Sequence, residues 1–309
     1  MIYTVTLNPA LDRAITVESL LADDTTRVIA ETAYAAGKGI DVSRVIKELG
    51  GHSVALGLVG GYAGSQLEGL LINAGVVADF TPIGGETRTN IILKEKGPGR
   101  QYVISAAGPQ IGAAEIGRLY QHVRELGEMT YLVLSGSPPR GVTPQLYGQL
   151  ILAGRKNGAF VLLDTDGQAL QDAIAQQPTC IKPNHHELAR LVGRDLADER
   201  QILAACDEIH AKGVSQVIVS RGRQGLIFSC QGGPQLKATS PPVAAESTVG
   251  AGDSVVAGFV LAHSRELAPA ECLKWGCAAG TATAQTPGTE LCHLADVEKI
   301  LPEVEVTSL

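Results

Sequence analysis

Two rhythms of apolar and polar positions divide the chain. Residues 2–7 alternate as a strand and stop at Asn8-Pro9. Residues 13–35 hold two β-branched pieces, Ala14-Ile15-Thr16-Val17 and Arg27-Val28-Ile29-Ala30, around a polar turn, which predicts a small hairpin. Beyond Ala36-Gly37-Lys38-Gly39, residues Ile40, Val42, Val45, Ile46 and Leu49 recur as one face of a helix, and Gly50-Gly51 ends it. Residues 54–59 read as a buried strand, and 65–73 as a short helix closed by Gly75. Strand-like residues 89–94 and 101–105 flank Gly97-Pro98-Gly99, a second hairpin. From about residue 111 the rhythm becomes β/α alternation. Helices over 113–126, 144–156, 168–176, 185–192 and 199–212 lead to strands over 131–134, 160–163, 180–182 and 216–220. A strand over 226–229, a loop rich in Gly and Pro, an apolar helix after Gly252 and a long helix over 268–285 finish the core.

Continuous apolar strands between helices predict a mostly parallel sheet covered on both faces, a three-layer α/β/α domain filling residues 1–309. The hairpin regions, about 13–35 and 86–105, break that rhythm. They are expected to form a small separate sheet, placed as a lid or as a dimer surface.

Composition narrows the function classes. The 309 residues carry a net charge of -7, which argues against a general nucleic-acid or anionic-membrane surface and leaves room for a local basic pocket. Aromatics are only 4%, so Val, Ile, Leu and Ala must fill the core. The six cysteines show no C-x-x-C spacing and read as reduced core residues of a cytoplasmic protein. No apolar run is long enough for a membrane span, and no signal peptide is expected from residues 1–7.

The chemistry concentrates in Ser247-Thr248-Val249-Gly250-Ala251-Gly252-Asp253-Ser254. Two glycines there can turn the backbone and leave N–H groups bare at a helix N-terminus, an anion site. Asp253, in the first turn, suits a base that accepts a hydroxyl proton during phosphoryl transfer, although a helix cap is the plain alternative. Ligands of open parallel sheets bind at the carboxyl ends of the strands. Asp12, Ser135-Gly136-Ser137, Asp164, Lys182-Pro183-Asn184 and Ser220-Arg221-Gly222 all follow strands or lead into helices, so they can converge there. Asp12 can accept hydrogen bonds from sugar hydroxyls or cap a turn. Gly37-Lys38-Gly39 opens a helix and could hold a hydroxyl or phosphate; with Thr32 and Gly39 at the diagnostic positions it is not a Walker A loop. Arg88 and Asn90 fall on a lid strand, where an Arg could close over a phosphate. Asn184 and Glu187 read as a capping box or as organisers of Mg²⁺ and its waters, with Lys182 near phosphate oxygens. His185 and His186 are adjacent and face different ways, which argues against zinc. Ser220 to Gly225 is a strand-to-strand turn, either a plain hairpin or a path for a nucleotide.

Asn8-Pro9-Ala10-Leu11-Asp12, Gly37-Lys38-Gly39-Ile40-Asp41-Val42, the Ser135–Val142 run, Lys182-Pro183-Asn184 with Glu187, and the Ser247–Ser254 run occur in the order of the PfkB/ribokinase sugar kinases. The chain resembles that family from residue 2 to about 293, and its Asn-Pro start, Gly-Lys-Gly turn and Thr87-Arg88 resemble the sugar-phosphate branch. That branch contains 1-phosphofructokinase, tagatose-6-phosphate kinase and the PfkB-type 6-phosphofructokinase; the run from Gly288 to Cys292 looks most like the last. The resemblance implies a ribokinase-like fold and ATP-dependent phosphorylation of a ketohexose phosphate, with fructose 6-phosphate first. By carry-over Asp253 is the base, and the amides of Gly250, Ala251 and Gly252 form the anion hole. Asp12, Gly37, Lys38, Gly39, Asp41, Arg88 and Ser137 would line the sugar-phosphate site. Lys182, Asn184, Glu187, Ser220, Gly222, Gly225 and Ser247 would follow the nucleotide. Mg²⁺ would sit near Asn184 and Glu187, with Asp164 as an outer helper. K⁺ near the active loop and a homodimer through the lid sheet are further implications. Two residues depart from the family pattern: Asp41 stands for the usual Asn, and Glu290 for an Arg.

Overall fold

The computed structural model describes residues 1–309. The chain begins with β1 (Ile2–Thr6), β2 (Ala10–Val17) and β3 (Val28–Ala36), then α1 (Lys38–Glu48), β4 (Ser53–Val59) and α2 (Gly61–Asn73). Short strands β5 (Val77–Ala78) and β6 (Thr81–Pro82) precede the hairpin β7 (Arg88–Glu95) and β8 (Arg100–Ile104). The alternating part runs α3 (Ala113–Glu125), β9 (Tyr131–Ser135), α4 (Gln145–Lys156), β10 (Phe160–Asp164), α5 (Gly167–Ile174), β11 (Cys180–Ile181), α6 (His185–Val192), α7 (Glu199–His210) and β12 (Gln216–Ser220). It closes with β13 (Leu226–Cys230), β14 (Gln235–Thr239), α8 (Ala251–Ser264), α9 (Pro269–Ala284), α10 (Leu294–Ile300) and β15 (Glu305–Ser308).

The large sheet has 11 strands, in the order β15-β14-β13-β12-β11-β10-β9-β1-β4-β5, with β6 on β4. It is parallel from β4 to β12 and antiparallel from β12 to β15. Alternate residues of its central strands feed two cores. Leu132, Leu134, Val161, Leu163, Val217 and Val219 pack with the helices α3 to α7. Val133, Leu162 and Ile218 pack with α1, α8, α9 and α10 on the other face. Burial on both faces explains why these strands carry unbroken apolar runs. The second sheet has four strands, ordered β3-β2-β7-β8, with the two hairpins joined by a parallel β2–β7 pairing. That is the small sheet expected from residues 13–35 and 86–105.

Three elements late in the chain go beyond the sequence reading. The loop rich in Gly and Pro contains β14, whose Leu236 and Ala238 reach the core while Lys237 does not. The core also ends later than expected, with α10 and the edge strand β15. Each is short, and β15 carries one apolar residue in four, too little for a periodic signal.

Register decides what meets at the carboxyl edge. Thr6, Ser135 and Asp164 end three neighbouring parallel strands side by side. Lys182 follows one residue past the Leu163–Ile181 pair, next to Asp164. Helix α8 is apolar all round and buried from Asp253 to Ala262. Gly258 lets it press on α9, since a Cβ there would meet the Trp275 carbonyl oxygen at 2.6 Å. So Asp253 is delivered to the edge by a helix that has no room to shift.

Candidate active site

Gly250 caps α8 with φ 76°, the left-handed conformation that glycine adopts without strain. The turn leaves the N–H groups of Gly250, Gly252 and Asp253 with no backbone carbonyl partner, and that of Ala251 with only a long 3.4 Å contact to Thr248. Bare amides at the positive end of a helix form an anion hole. Lys182 adds a charge: its Nζ lies 3.4 Å from where a Cβ on Gly252 would stand.

Asp253 sits inside this turn with a side chain only 8% exposed, and its Oδ1 has no hydrogen-bond partner. Burial pushes its carboxyl up to about 8, with Asp164 and Asp41 adding to the rise and Lys38 and Lys182 opposing it. A buried, unpartnered carboxylate with a raised pKa is a proton acceptor suited to neutral pH.

Lys38 Nζ lies 3.0 Å from Asp164 Oδ2 and 3.9 Å from Asp253 Oδ1. Lys182 Nζ lies 3.3 Å from the other oxygen of Asp164. For Asp164, burial opposes ionisation, but the two ammonium groups outweigh it and hold the carboxyl below its usual range. Burial likewise opposes the charge on Lys38, and Asp164 and Asp253 outweigh it, so Lys38 stays protonated. Asp164 therefore anchors both lysines beside the anion hole.

Helix α1 brings its own N-terminus to the same edge. Gly39 packs so closely on β1 that a Cβ would meet Thr6 Oγ1 at 2.7 Å and the Val5 carbonyl oxygen at 2.9 Å. Thr6 Oγ1 accepts the Ile40 N–H at 2.9 Å, and Gly37 turns with φ 129°. Asp41, on the first turn, pairs with Arg44 at 3.1 Å. Gly136 lies against the stem of Lys38, and the exposed Ser137 follows it.

The small sheet closes the other side. Asp12 is buried on β2, opposite Asn90 on β7, and its Oδ1 accepts the Asn90 Nδ2 at 2.8 Å. Arg88 donates to the carbonyls of Ala106 and Asn8 at 2.9 and 3.0 Å, so two of its arms hold backbone.

Asn184 caps α6 and Glu187 completes the reciprocal box: Asn184 Oδ1 accepts from Glu187 N–H at 2.9 Å, and Glu187 Oε2 from Asn184 N–H at 2.7 Å. Ser220 bridges to Asn184, and Gly222 and Gly225 form the turn between the antiparallel β12 and β13. A Cβ on Gly225 would strike the Ala238 carbonyl oxygen. Ser247 Oγ donates to the Gly288 carbonyl at 2.6 Å and accepts from the Val249 N–H, tying the active turn to the loop before α10. No cluster of three metal-ligating side chains occurs, and His185 and His186 stand edge to face on α6.

Sequence reasoning missed the supports. Tyr147, buried on α4, donates to the Gly136 carbonyl at 2.6 Å, and Thr165 to the same oxygen at 2.8 Å. Arg44 holds the carboxylate of Asp41, and Asn90, placed on a lid strand by the sequence but given no partner there, holds that of Asp12. Only their placement in space marks them.

A buried, unpartnered carboxylate beside bare helix amides at the edge of a ribokinase-like sheet suits a phosphotransferase with an alcohol group as acceptor. The chain belongs to the pfkB family of carbohydrate kinases, whose pattern matches residues 5–296. It is 35% identical over 309 residues to a 1-phosphofructokinase of Borreliella burgdorferi, covering 100% of this chain and 99% of that one. It is 33% identical to a D-tagatose-1-phosphate kinase of Bacillus licheniformis over the full length of both. The crystal structure of phosphofructokinase-2 from Escherichia coli in complex with potassium superposes with a TM-score of 0.92 at 34% identity, covering 97% of this chain and 98% of that one. The chain is thus a sugar-phosphate kinase homologue. No helix is long and apolar enough to cross a membrane.

Proposed function

We propose that this protein transfers the γ-phosphoryl group of ATP to a hydroxyl of a ketohexose phosphate. The observation that carries the reading is Asp253: a buried carboxylate oxygen without a partner, framed by bare amides and faced by Lys38. Asp253 takes the proton from the acceptor hydroxyl. The amides of Gly250, Ala251 and Gly252, with Lys182, hold the charge on the phosphoryl group in transit. Asp12, Asp41, the Gly37-Lys38-Gly39 turn and Ser137 surround the sugar, with Arg88 at the lid side. Asn184, Ser220, Gly222, Gly225 and Ser247 follow the nucleotide.

Mg²⁺ fits the donor set in one manner. Both oxygens of Asp164 are claimed by lysines, whereas Glu187 has one oxygen in its cap and one free. Glu187 and Asn184 would hold the ion through waters, as Mg²⁺ prefers, and Asp164 acts through the lysines. The ion neutralises phosphate charge when bound. K⁺ would be held by backbone carbonyls near the active turn and the segment before Thr289, where Ser247 ties the two together through the Gly288 carbonyl. Val28, Ile29, Val103 and Ile104, on the outer strands of the small sheet, are half exposed, which supports a homodimer through that sheet.

Fructose 6-phosphate is the acceptor assigned first. Fructose 1-phosphate is a second reading, favoured by the full-length likeness to a 1-phosphofructokinase. Coupled ATP turnover with Mg²⁺ and K⁺ tests both, using fructose 6-phosphate, fructose 1-phosphate, the 1- and 6-phosphates of tagatose, and free fructose. One phosphorylated ketose should dominate, and Asp253→Asn should be inactive with it. No sugar-dependent turnover with any of them would sink the proposal in favour of a non-catalytic sensor.

A further inference from the structure

Asp12 is one of the groups that surround the sugar in the reading above, and the present inference rests on that assignment. Its two oxygens are not equivalent. Oδ1 accepts the Asn90 amide at 2.8 Å, across the β2–β7 pairing in which the two residues stand opposite each other. Both side chains are buried. The amide oxygen of Asn90 is also engaged: it accepts the Ala106 N–H at 3.0 Å. The Ala106 carbonyl in turn accepts from Arg88, two residues before Asn90 on the same strand. Asn8 Nδ2 donates to the neighbouring Ala107 carbonyl at 3.2 Å, and the Asn8 backbone carbonyl accepts the second arm of Arg88. The loop after β8 is thus fastened to β7 by two hydrogen bonds and to Asn8, beyond the end of β1, by one; Arg88 joins β7 to Asn8 directly, and Asp12 is the last link.

We propose that Asn90 is the positioning residue for the acceptor site: it fixes Asp12 Oδ1, leaves Oδ2 to receive an acceptor hydroxyl, and ties that aim to the loop around Ala106. A free carboxylate in that place would rotate and share itself among competing donors. An amide can serve both ends of the link because it donates with nitrogen and accepts with oxygen; neither Asp nor Leu can.

The surroundings of Asp12 give the test its second readout. Burial raises its carboxyl above the ordinary range, and the Asn90 hydrogen bond, Arg88 on β7 and Arg44 on α1 oppose that rise. Asp41 on α1 is the acidic neighbour, and Tyr34 stands opposite on β3. Tyr62 and Glu68 of α2 are exposed. Removing the Asn90 donor leaves burial less opposed, so Asp12 should ionise at a higher pH.

The experiment compares wild type, Asn90→Ala, Asn90→Asp and Asp12→Ala by steady-state kinetics across pH, with the acceptor that wild type uses best. Asn90→Ala should raise the acceptor KM about tenfold, the scale of one hydrogen bond to a charged group, while the ATP KM stays within about twofold. The lower, steeper part of the acidic limb of kcat/KM for the acceptor, below the climb that Asp253 sets, should move to higher pH. Asn90→Asp keeps the Ala106 acceptor but loses the donor and adds a like charge, so it should show a larger shift of the same limb. A purely structural role would lower the melting temperature without moving the limb. If Asn90→Ala and Asn90→Asp both bind ATP normally with unchanged acceptor KM and limb while Asp12→Ala raises the KM, Asn90 is not the positioning residue and the role of Asp12 stands. If Asp12→Ala leaves the acceptor KM unchanged, the assignment of Asp12 falls and this inference with it.

Discussion

Lys38 Nζ stands 3.9 Å from Asp253 Oδ1, inside ion-pair range and beyond hydrogen-bond range. The lysine spends its short contact on Asp164, at 3.0 Å. Asp253 therefore feels a positive charge without being capped by it, and the oxygen stays free for a hydroxyl proton. A direct Lys38–Asp253 bond would have made the base weaker and shielded it at once.

This spacing sets a pH profile. Burial puts the Asp253 carboxyl at about 8, and Lys38 opposes the rise. The proposed base must be ionised, so kcat/KM for the acceptor should climb with pH and level off above about 8. Lys38→Met removes the opposing charge, moves the climb to higher pH and should cost at least about tenfold at neutral pH, one pKa unit being a factor of ten in ionised base. Lys38→Arg should keep the profile closer to wild type. A pH series on the three proteins measures this, and an unmoved limb in Lys38→Met would refute it.

The same carboxyl makes a stability prediction of opposite sense. A folded-state pKa raised above the unfolded value means that the folded protein binds more protons between the two. Its contribution is full below about pH 4, the unfolded value, and is lost as pH rises through about 8. Asp253→Asn abolishes the charge and the loss with it. The inactive variant should melt higher than wild type at pH 8.5, by about 2 °C or more, with a smaller difference at pH 5. Calorimetry at the two pH values decides the matter; equal differences at both would show that burial does not strain this group.

A side chain at Gly250 would bring strain of another kind. An Ala there must hold φ 76°, at a cost of about 1–2 kcal/mol, and its Cβ would come within 2.5 Å of Leu291 Cδ2. The leucine tip can give way; the backbone cannot keep both the turn and its aimed amides. Gly250→Ala should lower kcat at least about tenfold, because amides placed for the moving charge are worth two to three orders of magnitude. Gly158→Ala is the control, since Gly158 has φ 71° and nothing within 4 Å of a Cβ. It should lose comparable stability and keep its kcat.

How far the sequence reveals this site depends on the kind of contact. Gly250 to Asp253 is legible as a helix start because two turning glycines precede an apolar run, and the helix bounds follow from the run after Gly252. The central strands are legible because burial on both faces leaves unbroken runs such as Tyr131–Ser135. The Asp12–Asn90 bond is not legible: it spans 78 residues and depends on a parallel β2–β7 register that no local pattern encodes. The same holds for Tyr147 on Gly136, where a buried aromatic on a helix reads as core and the hydroxyl holds the Gly136 carbonyl. Arg88 shows the converse. An Arg on a lid strand reads as a free phosphate fork, yet two of its arms are spent on carbonyls.

Asp41 gives the last prediction. Its carboxyl pairs with Arg44 at 3.1 Å, and burial still pushes it up to about 6, with Arg44 lowering and Asp12 raising it. At pH 8 it is therefore an anion beside a site proposed to receive a phosphorylated sugar, and at pH 5.5 it is largely neutral. At an effective dielectric of about 20, two unit charges some 8 Å apart repel by about 2 kcal/mol before screening. Asp41→Asn removes that repulsion and leaves Arg44, which is 20% exposed, in contact with water. The variant should lower the acceptor KM about three- to tenfold at pH 8, and the two proteins should converge at pH 5.5. The acceptor phosphate itself titrates near pH 6, so each comparison is made between wild type and variant at one pH. An equal KM ratio at both pH values would mean that the charge of Asp41 does not reach the acceptor, and that Arg44 already neutralises it in full.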